Sequence, residues 1–217
     1  MSNPDTYYQR SEVSNSDLTA LKELLYPRPQ FGDREKAFRI GSIVDAMVSE
    51  KERVDFLNMT LDGVQIDVEE FLFCRELLRA LRSEARKDPF LEKVLEKADT
   101  QRVMVNHGQV FNNGGFEFTL DTRCKWDWWL PSANFGGDLK TTGACTLADF
   151  ENALDFFDWD RSRAWYMDIA GSNQDFIYAI SKRTFRVFKK FIRRGDEIYT
   201  RGREKYEDLA FKYWCFA

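Results

Sequence analysis

Two aspartates and one lysine stand close together near the middle of the sequence, in the segment CKWDWWLPSANFGGDLKTT. Asp138, Leu139 and Lys140 lie in a β-rich run, and side chains alternate faces along a strand, so Asp138 and Lys140 project to the same side. Asp127 lies eleven residues before Asp138, and the intervening LPSANFGG can turn the chain back on itself. The spacing therefore predicts two carboxylates and one ammonium group on one surface.

Phosphodiester hydrolysis needs such a grouping. Hard cations such as Mg²⁺ or Mn²⁺ prefer carboxylate oxygens and keep waters that can become the nucleophile. Lys140 would orient or help deprotonate that water and stabilise charge in the transition state. The segment predicts a metal-dependent hydrolase with Asp127, Asp138 and Lys140 as catalytic residues. An exposed, salt-bridged hairpin without catalysis is the alternative.

The elements that must position these groups change character along the chain. Helical periodicity dominates the first 100 residues, and short β-rich runs separated by Asn, Gly and Pro follow Thr100. In the first helix, Leu18, Leu21, Leu24 and Leu25 form an apolar stripe. Further helices are predicted at about 34–49, 67–86, 89–97, 147–157, 160–170 and 196–214, and DFIYAISK and RVFKKFI are interpreted as strands.

These patterns predict an α/β fold with a central mixed β-sheet flanked by helices, preceded by a mainly helical part. The 217 residues fit one domain, with about 1–100 as the helical part and about 101–217 as the sheet core that carries the catalytic motifs. No internal repeat or low-complexity linker divides them.

Composition excludes several classes of protein. A hydrophobic fraction of 43% rules out a disordered chain, and no apolar run is long enough to span a bilayer. The first residues lack the layout of a signal peptide, so a soluble, cytoplasmic protein with no membrane partner is predicted. The four cysteines form no CxxC pair, which predicts reduced thiols and no zinc ribbon.

The net charge of −4 hides a strongly uneven distribution. The segment 182–194 contains seven cations and no acid, which suits a polyanion such as a nucleic acid, although compensation by acids from elsewhere is an alternative. A second basic stripe lies on one face of the helix at 67–86. Its members Arg75, Arg79, Arg82 and Arg86 are predicted to follow a DNA backbone or to pair with neighbouring glutamates.

The order of these motifs resembles the RecE-type, lambda-exonuclease-like branch of the PD-(D/E)xK nucleases of phages and prophages. The resemblance is carried by VSNSDL, FRIGSIVDAM, the Asp127 strand, DLKTT and DWDRSRAWYMDIAG, and it runs from about Val13 to Arg194. It implies a restriction-endonuclease-like core and a double-strand-DNA exonuclease that leaves a single-stranded tail for an annealing recombinase. A ring-like homo-oligomer is common in the family, although nothing in this sequence demands one.

The resemblance also implies roles for further residues. It implies metal ligands at Asp45, Asp127, Asp138 and Leu139, with Ser162 and Tyr166 lining the catalytic site. Ser14 and Ser16 would meet a DNA 5′-phosphate at a helix start, although an ordinary helix cap is equally compatible with them. The predicted DNA contacts are Ser14, Ser16, Arg75, Arg79, Arg82, Arg161 and Arg163.

Two positions depart from the family pattern. Asp45 stands where the family usually has His, and Ser162 stands where it favours Gln. A carboxylate can still bind a hard metal, but a serine hydroxyl offers one short donor. Two alternatives therefore stay open, an endonuclease on the same core and a DNA-binding protein with weakened catalysis.

Overall fold

A five-stranded mixed sheet forms the centre of the protein, whose computed structural model describes residues 6–27 and 32–216. The strand order is β4-β5-β6-β7-β8, and only the β6–β7 pair is parallel. A parallel pair requires a long crossover connection, and two helices between β6 and β7 provide it. The strands are β4 (Asp99–Asn113), β5 (Phe116–Leu130), β6 (Phe135–Thr142), β7 (Gln174–Ser181) and β8 (Val187–Arg193).

Helices cover both faces of this sheet. β7 shows this most clearly, because Ile177 and Ala179 pack into one apolar cluster, while Phe176, Tyr178 and Ile180 pack into the other. The first cluster includes α1 (Asn15–Leu25), α5 (Leu147–Phe156), α6 (Trp159–Ala170) and α7 (Glu197–Phe216); the second includes α2 (Arg34–Ser49), α3 (Val68–Ala85) and α4 (Pro89–Lys97). The predicted α/β class with a flanked mixed sheet is confirmed.

Three features differ from the sequence-based expectations. FEFTLDTR and CKWDWWL belong to one continuous strand, β5, because β4 pairs with both segments between Phe116 and Trp129. In α1 only Leu18 is buried and Leu24 is 79% exposed, so the four-leucine stripe is wrong. A small antiparallel sheet was not predicted. It consists of β1 (Val54–Asp55), β2 (Thr60–Leu61) and β3 (Val64–Gln65), and short 3₁₀ helices cover Thr6–Gln9 and Lys51–Arg53.

Close packing of α7 against α6 depends on a glycine. A Cβ at Gly202 would lie 2.2 Å from the main-chain oxygen of Asp160, so only glycine lets the two helices approach this closely. This contact encloses α6 between the sheet and α7, which is why most of its side chains are buried.

The state of the cysteines and the apolar character of the helices bear on the composition of the chain. All four cysteines are free thiols, and Cys74 and Cys124 are buried, as predicted. Across residues 6–27 and 32–216, no helix combines the length and the apolar character needed to cross a membrane.

Candidate active site

The sheet forks where β5 and β6 separate. β6 pairs with β5 at only three positions, the last being Trp128 with Gly137. The next pair in register would be Asp127 with Asp138, but here β5 stays with β4 while β6 continues beside β7. Instead of a main-chain pair, the Asp127 carboxylate accepts a hydrogen bond of 2.9 Å from the Leu139 N–H. Both aspartates therefore lie at the opening of the fork.

Lys140 completes this group. Its Nζ lies 2.5 Å from Oδ2 of Asp138, as expected for two residues on one face of β6. The Lys140 ammonium group is therefore the counter-charge of this buried oxygen. Asp138 is only 3% exposed, whereas the Lys140 side chain is 30% exposed. The predicted meeting of two carboxylates and one amine is confirmed as a geometry.

The pKa values of the residues at the fork depend on burial and on the charges of their neighbours. Burial raises the pKa of Asp127 well above its ordinary value, and the Asp138 and Asp45 carboxylates raise it further. Burial also disfavours ionised Asp138, but Arg163 and Lys140 outweigh it and lower the pKa of Asp138. Burial acts against charged Lys140, yet Asp138 and Asp127 raise its pKa overall. An ionised Asp138 and a charged Lys140 therefore stabilise each other beside a carboxyl group that would gain from a cation.

A buried arginine supports Asp138 from α6. Nη2 of Arg163 lies 3.3 Å from Oδ1 of Asp138, and Nη1 lies 3.6 Å from Oδ2 of Asp175. Nη2 also donates 3.0 Å to the Ser162 hydroxyl, and the guanidinium lies 4.1 Å from the centre of the Tyr166 ring. The side chain of Arg163 is 1% exposed, so the expectation that it contacts DNA directly is wrong. Its position under Asp138 explains why Ser162 and Tyr166 lie close to the site.

Asp175 is a residue of this network that the sequence analysis missed. It is completely buried at the start of β7, and neither carboxylate oxygen has a hydrogen-bond donor among the described residues. Burial raises its pKa well above the ordinary value, while Arg163 lowers it. An acid at the head of the apolar run QDFIYAIS was the only available signal, and it does not identify Arg163 as the partner.

Asp45 and Gln101 form a second, partly exposed part of the site. Asp45 on α2 accepts hydrogen bonds of 3.2 Å from both Ser49 Oγ and Gln101 Nε2. Burial raises the pKa of Asp45, and the Lys140 ammonium group opposes this. Gln101 has a φ of +54° and is missing from the β4–β5 register at the position opposite Asp127. Left-handed backbone at a non-glycine residue is strained and concentrates at functional sites, but a sequence cannot reveal it.

The N-terminal residues serve mainly the fold. The Ser14 hydroxyl donates to Asp17 and accepts its N–H in a capping box, and Ser14 is only 2% exposed. Arg161 is 2% exposed and donates to Asn15 and Thr19, so its predicted role as a DNA contact is wrong. Buried hydrogen bonds hold Arg161 against α1. Ser16 is exposed in the first turn of α1, and its DNA contact stays a prediction.

The arginine stripe of α3 is exposed to solvent at Arg75, Arg79, Arg82 and Arg86. Arg79 donates to Glu76 at 2.7 Å, which matches the alternative interpretation at that position. An exposed ion pair of this kind contributes at most about 1 kcal/mol and can be exchanged for a phosphate. DNA contacts along this stripe remain a prediction.

Comparisons with known proteins add only a weak structural likeness. Neither a family model nor a curated protein matches the sequence. The crystal structure of SSO0001 superposes with a TM-score of 0.38 and 13% identity, covering 89% of this chain and 83% of that one. A phage related exonuclease from Haemophilus somnus 129PT superposes with a TM-score of 0.41 and 12% identity, covering 98% and 88%. Likenesses this distant assign no activity to the chain.

The groups at the fork suit a hard cation better than a soft one. The Asp138 carboxylate raises the pKa of Asp127, as a neighbouring like charge does, and both groups offer hard oxygen ligands. The Leu139 N–H points to the β5 side, and in an extended strand the carbonyl of a residue faces the same edge as its N–H. Two carboxylates and one carbonyl match the donor set of Mg²⁺, which keeps several waters.

Within the described residues, no three His, Cys, Asp or Glu side chains converge closely enough to form a preformed centre for one ion. The Asp45 carboxylate raises the pKa of Asp127, so Asp45 interacts electrostatically with the pair formed by Asp127 and Asp138. Its predicted ligand role therefore requires a bridging water or movement of α2.

Proposed function

We propose that this protein is a metal-dependent nuclease that hydrolyses DNA phosphodiester bonds at the fork between β5 and β6. The observation that carries the proposal is the approach of Lys140 to Asp138, at 2.5 Å, with the Asp127 carboxylate bonded to the intervening Leu139 N–H. A salt bridge that only stabilises the fold would need Asp138 and Lys140 alone. Here a second carboxyl group, Asp127, lies beside them, although the Asp138 charge disfavours its ionisation. Perturbed groups that cluster in this way favour a functional site.

Each residue has a distinct task in this mechanism. Asp127, Asp138 and the Leu139 carbonyl would hold Mg²⁺ or Mn²⁺, which supplies Lewis-acid activation of the phosphate and a more acidic water. Lys140 stabilises negative charge on the phosphoryl oxygens, because its partly exposed ammonium group is oriented by the buried Asp138. It can also orient the attacking water.

Arg163 contacts Oδ1 of Asp138, whereas Lys140 contacts Oδ2. The buried guanidinium lowers the pKa of Asp138 and so keeps the carboxylate ionised. Tyr166 packs against that guanidinium and against Trp126, which fixes the floor of the site. Ser162 is 8% exposed and its hydroxyl accepts from Arg163, so it acts through Arg163 in this arrangement.

Double-stranded DNA attacked from its ends is the substrate that the resemblance favours, and the exposed arginines of α3 are compatible with a polyanion. A single-strand-annealing recombinase as partner, a homo-oligomer and a cytoplasmic location belong to the same proposal. They rest on the resemblance and on the composition of the chain.

The test uses an end-labelled linear duplex and a covalently closed circle, each incubated with Mg²⁺ or Mn²⁺. The wild type should degrade the linear duplex progressively and leave the circle intact. Asp138→Asn should lower the rate by at least about 10²-fold, as expected when a preorganised electrostatic group is lost. Asp208→Asn, an exposed aspartate on α7, is the matched control and should retain activity.

The outcomes separate the alternatives. Cleavage of the circle would identify an endonuclease. DNA binding without any product, unchanged by Lys140→Ala, would identify a catalytically inactive DNA-binding protein. Equal degradation by wild type and Asp138→Asn would remove the basis for the proposal.

A further inference from the structure

The basic segment 182–194 divides into two groups in the structure. Three of its cations are engaged by acids, since Lys189 pairs with Asp88 at 2.6 Å, and Lys190 and Arg194 pair with acids from α5 and α6. In contrast, Lys182, Arg183, Arg186 and Arg193 make no ion pair with any residue in the described ranges. The first three form the tip of the β7–β8 hairpin, and Arg193 is the last residue of β8. Compensation of charge therefore explains three cations of β8 and the turn after it, and leaves the hairpin tip positive.

The hairpin tip is rigidly built. The Ser181 hydroxyl accepts hydrogen bonds from the N–H groups of Arg183 and Thr184, and the Phe185 N–H donates 3.0 Å to the Ser181 carbonyl. Phe185 adopts a left-handed backbone with a φ of +57°, and its ring packs edge-on against Phe73 at 5.8 Å. A bulky residue rarely adopts this conformation. Hydrogen bonds and ring packing thus hold the backbone of the tip, from which its cations project.

The sheet connects this tip to the fork. Lys182 donates its N–H at 2.7 Å to the carbonyl of Thr142, the last residue of β6. Lys140 is the register partner of Ala179, three residues before Lys182, so the tip begins roughly 10 Å from Lys140 at about 3.3 Å per residue. Lys182 is half-buried, and Arg183 and Arg186 are exposed. A phosphate chain lying along the end of β6 would meet both the catalytic lysine and the tip.

Acids near the tip do not neutralise it. Asp149 feels the charge of Arg183, but its carboxylate accepts the N–H groups of Cys145 and Thr146 and caps α5. The Arg186 guanidinium lies over the Phe188 ring at 5.7 Å, a contact that leaves its N–H edges available. Arginine is suited to phosphate because its planar fork offers several donors at once.

We propose that the hairpin tip formed by Lys182, Arg183 and Arg186 is a binding surface for the phosphate backbone of the DNA substrate. At about 3.4 Å of axial rise per nucleotide in one strand, its contacts fall roughly three nucleotides from the phosphate at the fork. The inference takes the identity of its partner from the proposed function. It does not require catalysis.

The test is the salt dependence of duplex binding, measured by fluorescence anisotropy in EDTA so that cleavage cannot interfere. Each phosphate contact contributes about 0.9 to the slope of log affinity against log salt. Arg183→Ala/Arg186→Ala should therefore reduce the slope by about 1.8. Between about 50 and 200 mM KCl, the double variant should lose roughly tenfold less affinity than the wild type.

Two further variants control for net charge and folding. Arg203→Ala/Lys212→Ala removes the same charge from α7, where both cations pair with acids of the same helix, and should keep the wild-type slope. Arg183→Lys/Arg186→Lys should restore most of the slope, because counterion release depends on charge. Thermal melting of each variant checks that it is folded.

A wild-type slope in the tip variant, or an equal change in the α7 control, would overturn the inference, as would a wild type that does not bind DNA. A reduced slope in a protein that never cleaves DNA would refute the nuclease and leave the binding surface standing. Cleavage of DNA by the wild type, together with an unchanged slope in the tip variant, would support the nuclease and refute the binding surface.

Discussion

Replacing Arg163 with methionine should destabilise the protein strongly, because its guanidinium is the buried counter-charge of two acids. Asp138 would keep Lys140, but Asp175 would lose its ion-pair partner among the described residues and keep only the weaker effect of the Lys140 charge. Breaking one partner out of a buried ion pair costs about 3–5 kcal/mol. At about 2–4 °C per kcal/mol for a chain of this size, Tm should fall by about 6–20 °C.

The loss should depend on pH in a defined direction. Burial raises the pKa of Asp175 well above its unfolded value, and removal of Arg163 takes away the charge that lowers it. A carboxyl group with a raised folded pKa takes up a proton on folding, so its destabilising effect grows as pH rises from the unfolded pKa through the folded one. The wild type already shows this effect, so the deficit of Arg163→Met should grow only as the pH rises past the wild-type folded pKa of Asp175, towards the still higher pKa in the variant.

Urea denaturation of a double-mutant cycle measures this coupling. Asp175→Asn removes the buried charge with little change in shape, so adding it to Arg163→Met should recover a substantial part of the lost free energy of unfolding. Additive losses, or a deficit of Arg163→Met that shrinks as the pH rises, would refute the argument that a charge pair holds α6 to β7.

Further predictions concern backbone geometry at the site and behind it. Gln101→Gly should relieve left-handed strain of about 1–2 kcal/mol and lose a hydrogen bond of about 1 kcal/mol, so Tm should hold or rise while nuclease activity falls. A clear drop in Tm would contradict the strain. Gly202→Ala should lower the free energy of unfolding by about 1–3 kcal/mol or more in urea denaturation, because its Cβ would lie 2.2 Å from the Asp160 carbonyl oxygen. Gly41→Ala on α2 is the matched control, because its Cβ would lie 3.7 Å from the Thr141 hydroxyl, an ordinary contact, so it should keep or raise the free energy of unfolding. An equal loss in both variants would contradict the close packing at Gly202.

Local patterns were sufficient for much of the fold. Side chains alternate faces along a strand, which predicted that Asp138 and Lys140 lie on the same face, and their ion pair confirms it. The turn in LPSANFGG predicted the return of β6 to β5, which the Trp128–Gly137 pair confirms. Such features depend on neighbours in sequence, so a single sequence contains them.

Long-range burial could not be predicted in the same way. Arg161 and Arg163 have the composition of a solvated helix face, yet α7 and the sheet enclose them. The partner of Arg163 is Asp175, on another element, and no periodicity links the two. The strain at Gln101 arises where β4 passes the fork, a feature of strand pairing that residue types do not encode locally. Leu24 shows the opposite error, because its helical spacing predicted burial and its side chain is 79% exposed.

Anomalous diffraction from crystals soaked in Mn²⁺ tests the central claim most directly. We expect one peak in the fork, with oxygen ligands from Asp127, Asp138 and the Leu139 carbonyl at about 2.1 Å, and its loss in Asp138→Asn. Saturating Mn²⁺ that leaves the fork without a peak, or that binds only elsewhere, would contradict the account.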